Sequence, residues 1–379
     1  MNKICIYAIC KNEAKFVDKW VESMKEADCI VVLDTGSTDD TLEKFSKYPF
    51  VIVKQKTYET FRFDEARNDA IKLVPEDCNI LFSTDLDEIL EPGWAKPLRE
   101  KWIEGVHERA SYKYAWSHLS NGANGRIFEY NKIHSRNWIW EHPVHESLYN
   151  YKTKTSQYDY SVSLDLFNDI FLHHYPDSTK SRGSYFDLLK LRVKETPDDC
   201  YGMIYLAHEC YYRKLYDECI TTINKILEKF PDRLNSIEKA SCYLFKGDSY
   251  AGIDTEKSIK LAKQCYLDAI KIDSTYREPY INLAKIYQFK LNDNEKTIEI
   301  LKEALVKTHR HYSWLERDLS WTYELWDILS LASYYSGNKL ESLAYALKAL
   351  TFDTTNERLK SNLDIILKTS KDNELIWFL

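Results

Sequence analysis

Asn79-Ile80-Leu81-Phe82-Ser83-Thr84-Asp85-Leu86-Asp87-Glu88 is the stretch on which the architecture turns. It opens as a short apolar run of the kind a buried strand shows, and it breaks into carboxylates where that strand must end. Upstream, Lys3 to Ile9, Cys29 to Leu33 and Val51 to Val53 are similar runs. Between them, Asn12 to Met24 places Phe16, Val17, Trp20 and Val21 at helical spacing, and Phe63 to Leu73 reads as a second helix. Strands alternating with crossover helices predict a Rossmann-like, mostly parallel sheet. Asp34-Thr35-Gly36-Ser37-Thr38-Asp39-Asp40 is dense in turn and capping residues and follows the second strand as Thr84 to Glu88 follows the fourth. Both polar clusters therefore lie just past carboxyl ends of strands, where open α/β sheets bind ligands.

Downstream, Glu91 to His174 is rich in aromatics, histidines and β-prone residues, which predicts an antiparallel extension with long loops. A polar connection and a helix follow, and beyond Thr196-Pro197-Asp198-Asp199 no convincing strand remains. Helical hairpins recur there at intervals of roughly 35 to 48 residues, the mark of a repeat array. Leu206-Ala207, Lys246-Gly247, Leu283-Ala284 and Leu331-Ala332 fall in first helices, each followed by an aromatic at Tyr211, Tyr250, Tyr287 or Tyr335; Ala269, Ala304 and Ala349 fall in second helices, and Pro231 closes the first unit. Small residues that let two helices approach, with aromatics filling the adjoining holes, resemble the tetratricopeptide pattern. The expected division is residues 1–178 as an α/β domain, 179–199 as a linker helix and 200–379 as tetratricopeptide-like repeats. An exposed hydrophobic helix near Leu375 to Leu379 would cap the array.

Composition narrows the function. A chain of 379 residues exceeds what one core usually supports. Its net charge of −7, with scattered basic residues, argues against nucleic acid or an anionic membrane as the main partner. Nine cysteines without a CxxC pair fit a reducing cytoplasm. The apolar run Ile4 to Cys10 is too short for a signal peptide, and no window approaches the ~20 apolar residues of a membrane span.

Three constellations can carry chemistry. Asp85-Leu86-Asp87-Glu88 offers oxygen ligands to a hard divalent cation, or is a solvated acidic turn. Asp34 at a buried strand tip can accept from a nucleobase N–H, while Gly36, Ser37, Thr38 and Thr41 fit a capped helix start. Arg67, in Phe63-Asp64-Glu65-Ala66-Arg67-Asn68, can bind phosphate or pair with the acids. His142-Pro143-Val144-His145-Glu146 is not a zinc-protease motif, because Pro143 breaks the helix that motif requires.

Taken in order, Cys10-Lys11-Asn12-Glu13, the segment from Asp34 to Thr41, Ala66-Arg67-Asn68 and Asp85 to Glu88 resemble glycosyltransferase family 2, with its GT-A fold. Gly125-Arg126-Ile127-Phe128, Trp140 to Glu146, His173-His174-Tyr175, Lys180 and Arg182 extend the resemblance to the branch that carries tetratricopeptide repeats, which includes sublancin-type peptide S-glycosyltransferases and lipopolysaccharide-core glucosyltransferases.

The resemblance implies a UDP-sugar donor and a Mn2+ or Mg2+ cofactor. Ala8, Cys10, Glu13 and Asp34 would surround the nucleobase and ribose, with Asp34 on the base. Arg67 would approach the diphosphate or donor sugar, Asp85 would face the ribose or metal, and Asp87 would ligate the metal with His174, or else His173. Ser83-Thr84 departs from the apolar residues usual before the metal motif. The metal would stabilise the leaving diphosphate as a Lewis acid, and a positioned base would deprotonate the acceptor. Glu146 is the first candidate for that base, Glu88 and Asp177 are its rivals, and Glu146 could instead orient a loop or pair with Arg126. Trp140 is a candidate for stacking on a sugar or base. The expected reaction is inverting transfer of a hexose to a peptide, protein or saccharide acceptor, with the repeats holding the acceptor and supporting a homodimer. The competing readings are a repeat scaffold with a degenerate nucleotide-binding domain, and a nucleotidyltransferase using the same kind of metal site.

Overall fold

In a computed structural model that describes residues 2–118, 122, 124–156, 163–177, 179 and 183–369, the chain divides into two compact units. Met1–Ser117 with Ile127–Pro197 form the first, and His118–Arg126 with Asp198–Leu379 the second. Lys180, Arg182 and Leu375 to Leu379 lie outside the described residues.

The first unit opens with β1 (Ile4–Cys10), α1 (Val17–Met24), β2 (Cys29–Asp34), α2 (Thr41–Phe45), β3 (Val51–Gln55), α3 (Phe63–Ile71) and β4 (Ile80–Ser83). These strands are mutually parallel in the order β3-β2-β1-β4. Their near-continuous burial matches the unbroken apolar runs, because helices cover a parallel sheet on both faces. Cys5, Tyr7, Val31, Leu33 and Leu81 of the strands pack with Ala70, Val74 and Cys78. Between β1 and β4 the strand order reverses, which opens a crevice at their carboxyl ends. The first helix is shorter than its apolar spacing predicts. Asn12 takes a left-handed φ of 56°, its N–H donates to Ser37 Oγ at 2.8 Å, and its Oδ1 accepts from Thr38 N at 2.7 Å. Binding the neighbouring loop thus uses the residues that would have made the first turn.

The sheet continues through β5 (Glu88–Leu90), α4 (Ala95–Lys101), β6 (Arg109–Ala115), β7 (Ile127–His134) and the twelve-residue β11 (Ser163–His174), giving the order β3-β2-β1-β4-β7-β6-β11-β5. β7 runs antiparallel to β4 and β6, and β5 antiparallel to β11, so the extension is antiparallel in those pairs as the sequence predicts, while β11 lies parallel to β6. β8 (Trp138–Glu141), β9 (Ser147–Asn150) and β10 (Thr155–Ser156) make a small separate sheet. α5 (Tyr185–Glu195), read from sequence as a linker, groups with the first unit. Its fully buried Arg192 donates to the carbonyls of Val144 and His145 and so pins the loop after β8.

The second unit is helical. The pairs α6 (Cys200–Tyr212) with α7 (Tyr216–Lys229), α8 (Ser236–Ile253) with α9 (Glu256–Ile272), α10 (Arg277–Phe289) with α11 (Asn294–Lys307) and α12 (Glu324–Tyr335) with α13 (Lys339–Phe352) are followed by α14 (Glu357–Thr369). Each small residue named above sits in the helix of the pair it was read to occupy. Gly247 shows why: a Cβ there would lie 2.6 Å from the Tyr266 ring, so only glycine lets α8 approach α9 this closely. α8 and α9 each begin with a capping box, through Asn235 and Thr255. The expected class, an α/β domain of mixed sheet followed by an all-α tetratricopeptide-like array, is borne out.

Candidate active site

Two acidic strand ends meet at the crevice. Asp34 pairs in register with Cys10 across β1 and β2, and Ser83 with Tyr7 across β1 and β4. Asp34 is fully buried and turns its carboxylate onto its own loop, accepting from Gly36 N at 3.1 Å, Ser37 N at 3.0 Å, the Ser37 hydroxyl and Gln55 Nε2 at 3.4 Å. Burial opposes its ionisation, but these donors outweigh it and hold the carboxyl below its usual range. Gly36 has φ of 107°, a value L side chains rarely adopt, so the tight turn needs glycine. Ala8 lies buried on β1, Cys10 Sγ stands 3.6 Å from Asp34 Oδ2, and Glu13 N donates to Thr41 Oγ1 at 2.8 Å. The four residues expected around the nucleotide thus line the ends of β1 and β2 and the loop after β1.

Arg67 is the hub of the second cluster. Although α3 is a surface-crossing helix, Arg67 is only 3% exposed, and its guanidinium lies 5.3 Å from the Trp140 ring. Nη1 donates to Ser83 Oγ at 2.8 Å, Nη2 to Asp85 Oδ1 at 2.8 Å, and Nε to Glu146. Of the two roles open to it, the geometry displays pairing with the acids. Glu146 accordingly pairs with Arg67, while Arg126, the other partner read for it, belongs to the second unit and lies 3.8 Å from Asp318 there. Asn68 completes the motif by exchanging two 2.8 Å hydrogen bonds with the Trp140 backbone, which fixes β8 against α3. The polar pair before the acids is accounted for as well: Ser83 receives Arg67, and Thr84 Oγ1 receives the Trp20 indole N–H at 3.1 Å.

Lys132 was not singled out from the sequence. It sits on β7, is 5% exposed, and donates to Asp85 Oδ2 at 2.9 Å and Glu88 Oε1 at 3.2 Å. A lone lysine in an alternating strand gives no signal of this kind, because strand parity says only which face it takes. Asp85 is thereby engaged by a cation on each oxygen. Burial opposes its ionisation, yet Arg67 and Lys132 hold it far below the usual carboxylate range. Glu88 behaves oppositely: burial and the Asp85 charge raise it, and Lys132 offsets only part of this. It also accepts from Tyr114 OH at 2.9 Å and from Asp85 N at 2.9 Å, so it is walled in by its own turn.

Asp87 faces His174. The antiparallel register of β5 and β11 sets Glu88 opposite His174, and Tyr175 N donates to Asp87 O at 2.7 Å, which draws the two side chains together. His174 Nε2 lies 3.3 Å from Asp87 Oδ2, while Nδ1 lies 2.9 Å from Trp116 O. A backbone carbonyl can only accept, so Nδ1 carries the proton and Nε2 turns toward the carboxylate. Burial lowers the His174 pKa, but the Asp87 hydrogen bond and charge outweigh it and the net shift is upward. His173 points elsewhere, to Glu91 at 2.9 Å. The Asp87 carboxylate suits either Mn2+ or Mg2+, and an imidazole nitrogen whose other nitrogen is held by a carbonyl suits the transition metal of the two. Among the described residues no group of three or more His, Cys, Asp or Glu is placed to hold a metal, so a cation here would take the rest of its shell from substrate or water.

The remaining candidates are placed as follows. Asp177 accepts from Lys15 at 2.8 Å, and this bond, with those from Thr179, depresses its pKa. Trp140 is 3% exposed and donates to Tyr7 OH at 2.7 Å, so it fills core and offers no face for stacking. His142 and His145 take positive φ values of 81° and 48° in a non-helical turn, as Pro143 implies.

Among known proteins, none of the curated ones matches the chain. Solved structures similar to it include a thermophilic TPR protein of Thermus thermophilus, 18% identical over 48% of this chain and 89% of that one, with a TM-score of 0.37. They also include YrrB, titled a TPR protein with an unusual peptide-binding site, 14% identical over 49% of this chain and 85% of that one, with a TM-score of 0.37. No described helix is long and apolar enough to cross a membrane. Asp34, Arg67, Asp85, Asp87, Lys132 and Glu146 all fall within residues 5–163, a segment that matches the family model of Glycosyl transferase family 2, and His174 falls beyond it.

Proposed function

We propose that the first unit is an inverting, metal-dependent hexosyltransferase that uses a UDP-sugar. The observation that carries this reading is the pairing of Asp87 with a pre-oriented His174 beside an Asp85 already neutralised by two cations. A Mn2+ or Mg2+ held by Asp87 and His174 would supply Lewis-acid compensation for the departing nucleoside diphosphate. Asp85, locked by Arg67 and Lys132, presents a fixed edge to the donor's ribose. Loops from β1 and β2 receive the base, with Asp34 exchanging its bond to Ser37 for one from the base.

Glu146 takes the acceptor's proton. Arg67 holds its Oε1, which orients the carboxylate and leaves Oε2 to act. With the base on the face opposite the diphosphate, a single displacement inverts the anomeric centre. A peptide or protein acceptor is preferred over a saccharide, with the repeats holding it and supporting a homodimer, and the nine free cysteines suit work in the cytoplasm.

Thermal shift and donor hydrolysis with UDP-, GDP- and dTDP-sugars, with and without Mn2+, test the reading. Stabilisation by one UDP-sugar that needs metal, and UDP release that Asp87→Ala and His174→Ala both abolish, is the expected result. If no nucleotide sugar shifts the melting temperature under any metal, the enzyme reading fails and the repeats become the working part.

A further inference from the structure

β1 and β2 run parallel with Cys5 opposite Cys29, and the pairing continues without a break to Cys10 opposite Asp34. Strand parity puts Cys5, Tyr7 and Ile9 on one face of the sheet with Cys29, Val31 and Leu33, and these residues pack in one cluster that also takes in Cys78. Three cysteines thus converge at the amino-terminal rim of the sheet, with Cys5 and Cys29 roughly 16 Å along the strands from Cys10 and Asp34. No CxxC motif announces them, because only the register makes Cys5 and Cys29 neighbours. Adjacent strands lie about 4.8 Å apart, inside the Cα separation of about 4.4 to 6.8 Å that a disulfide spans.

The two thiols are not equivalent. Cys29, the first residue of β2, is half-buried, whereas every other cysteine among the described residues is buried. The Cys5 S–H donates to the Cys29 sulfur, and this bond pulls the Cys29 thiol below its usual range against burial and the charges of Asp77 and Asp28. The same bond, with burial, raises Cys5. Both nearby acids are engaged elsewhere: Asp28 accepts from Ile4 N and from Arg99 Nη2, each at 2.8 Å, and Asp77 pairs with Lys3. Cys78 is 2% exposed and its thiol is raised by burial, which makes it a poor competitor for either role. The three sulfurs are not placed to hold a metal ion together. What remains is an accessible sulfur that ionises readily, held against a second sulfur in disulfide reach, and this is the arrangement of a redox-reactive pair.

We propose that Cys5 and Cys29 form a peroxide-reactive thiol pair, in which Cys29 takes oxygen from a hydroperoxide and Cys5 then closes onto it as an intramolecular disulfide. In the first step the Cys29 thiolate attacks the peroxide, the O–O bond breaks, and a sulfenic acid forms while the leaving oxygen departs with a proton as an alcohol, or as water from hydrogen peroxide. In the second step the Cys5 sulfur attacks the Cys29 sulfur, the S–O bond breaks, and the Cys5 proton leaves with the hydroxide as water. Two thiols lose two electrons and the peroxide gains them. The proposal is independent of the glycosyl-transfer reading, since the pair stands at the opposite end of β1 and β2 from the acidic strand ends.

Peptide mapping of the full-length chain after equimolar hydrogen peroxide and alkylation tests it. The expected product is a Cys5–Cys29 disulfide within one chain, with Cys29 losing its thiol at least about ten-fold faster than the other cysteines outside the pair, because the rate follows thiolate content and access. Cys5→Ser should leave Cys29 as a sulfenic acid that dimedone captures, Cys78→Ser should form the disulfide at the wild-type rate, and dithiothreitol should return both thiols. Oxidation of Cys29 no faster than that of the buried cysteines overturns the proposal. So does a disulfide from Cys29 to Cys78 or to a second chain, or a product that dithiothreitol does not reverse. Should Cys5→Ser fail to fold, the wild-type map decides alone, since it identifies both sulfurs of the bond.

Discussion

Lys132→Met isolates the buried charge network. Lys132 compensates two carboxylates of very different exposure: the Asp85 side chain is 35% exposed and keeps Arg67, whereas Glu88 is 1% exposed and loses its lysine. The Asp85 contribution is therefore small after solvent screening, and the cost falls on Glu88. Removing one partner of a buried pair costs about 3 kcal/mol, because the other charge stays behind without its counter-ion. Replacing Glu88 as well, in Lys132→Met/Glu88→Gln, removes the stranded charge, and the pair should recover at least about 1.5 kcal/mol relative to the sum of the single variants. Urea unfolding of the four proteins at pH 7 measures this coupling. The sign with pH follows from Glu88, whose folded pKa is raised and would rise further without Lys132. Protonated Glu88 needs no cation, so the loss in Lys132→Met should shrink as pH falls from 7 toward 5. Additive single losses, or a deficit independent of pH, would refute the account of Lys132 as the counter-charge of Glu88.

Other perturbations follow from particular contacts. His134 is fully buried, accepts from Tyr7 OH at Nε2, and is pushed by burial down to about 4. An unfolded histidine takes up a proton below about 6.5, so wild-type stability should fall by about 2 kcal/mol between pH 7 and pH 5, and less in His134→Gln by denaturant titration. Gly247→Ala should cost about 2 kcal/mol despite alanine's better helix propensity, because Tyr266 is held by Asp248 at 2.8 Å and cannot swing away; thermal melts read it. Ser83→Ala removes one of three partners from buried Arg67 and should lower stability by about 1 kcal/mol, with a loss in donor-stimulated UDP release that Ser83→Thr restores.

What was legible in the sequence, and what was not, divides along physical lines. Apolar runs and helical spacing located β1 to β4 and the hairpin array because burial of a whole face leaves a periodic trace. The loop residues that end those strands were legible too, since Asp85, Asp87 and Asp34 are polar where an apolar run stops. The partners of those acids were not. Arg67 could have faced a phosphate, and only the packing of α3 on β8 through Asn68 turns it inward. Lys132 is forty-seven positions from Asp85, and nothing local marks it. The connection between α11 and α12 was hidden for the converse reason: residues 308–323 have no period, and their placement appears only in the contacts of Trp314 with Tyr205 and of Arg317 with Phe245 and Glu278, spread over three hairpins.

The division of labour between the two carboxylates of Asp85-Leu86-Asp87 follows from what each already touches. Both oxygens of Asp85 accept from cations, so a metal drawing on it would strand Arg67 or Lys132 in a site where each is nearly inaccessible to water. Among the described residues Asp87 lacks such a cation and has an imidazole nitrogen 3.3 Å away whose tautomer a backbone carbonyl fixes. On the proposed reading a divalent ion would gain most at Asp87 and His174, and Asp85 would hold the local charge constant while a leaving diphosphate gains its own. Asp85→Asn then separates the two roles. It should leave Mn2+ binding within about three-fold of wild type by calorimetry, whereas Asp87→Asn should weaken it by at least about ten-fold. Equal losses from the two substitutions would show that the cations on Asp85 yield to the metal and that both acids ligate it.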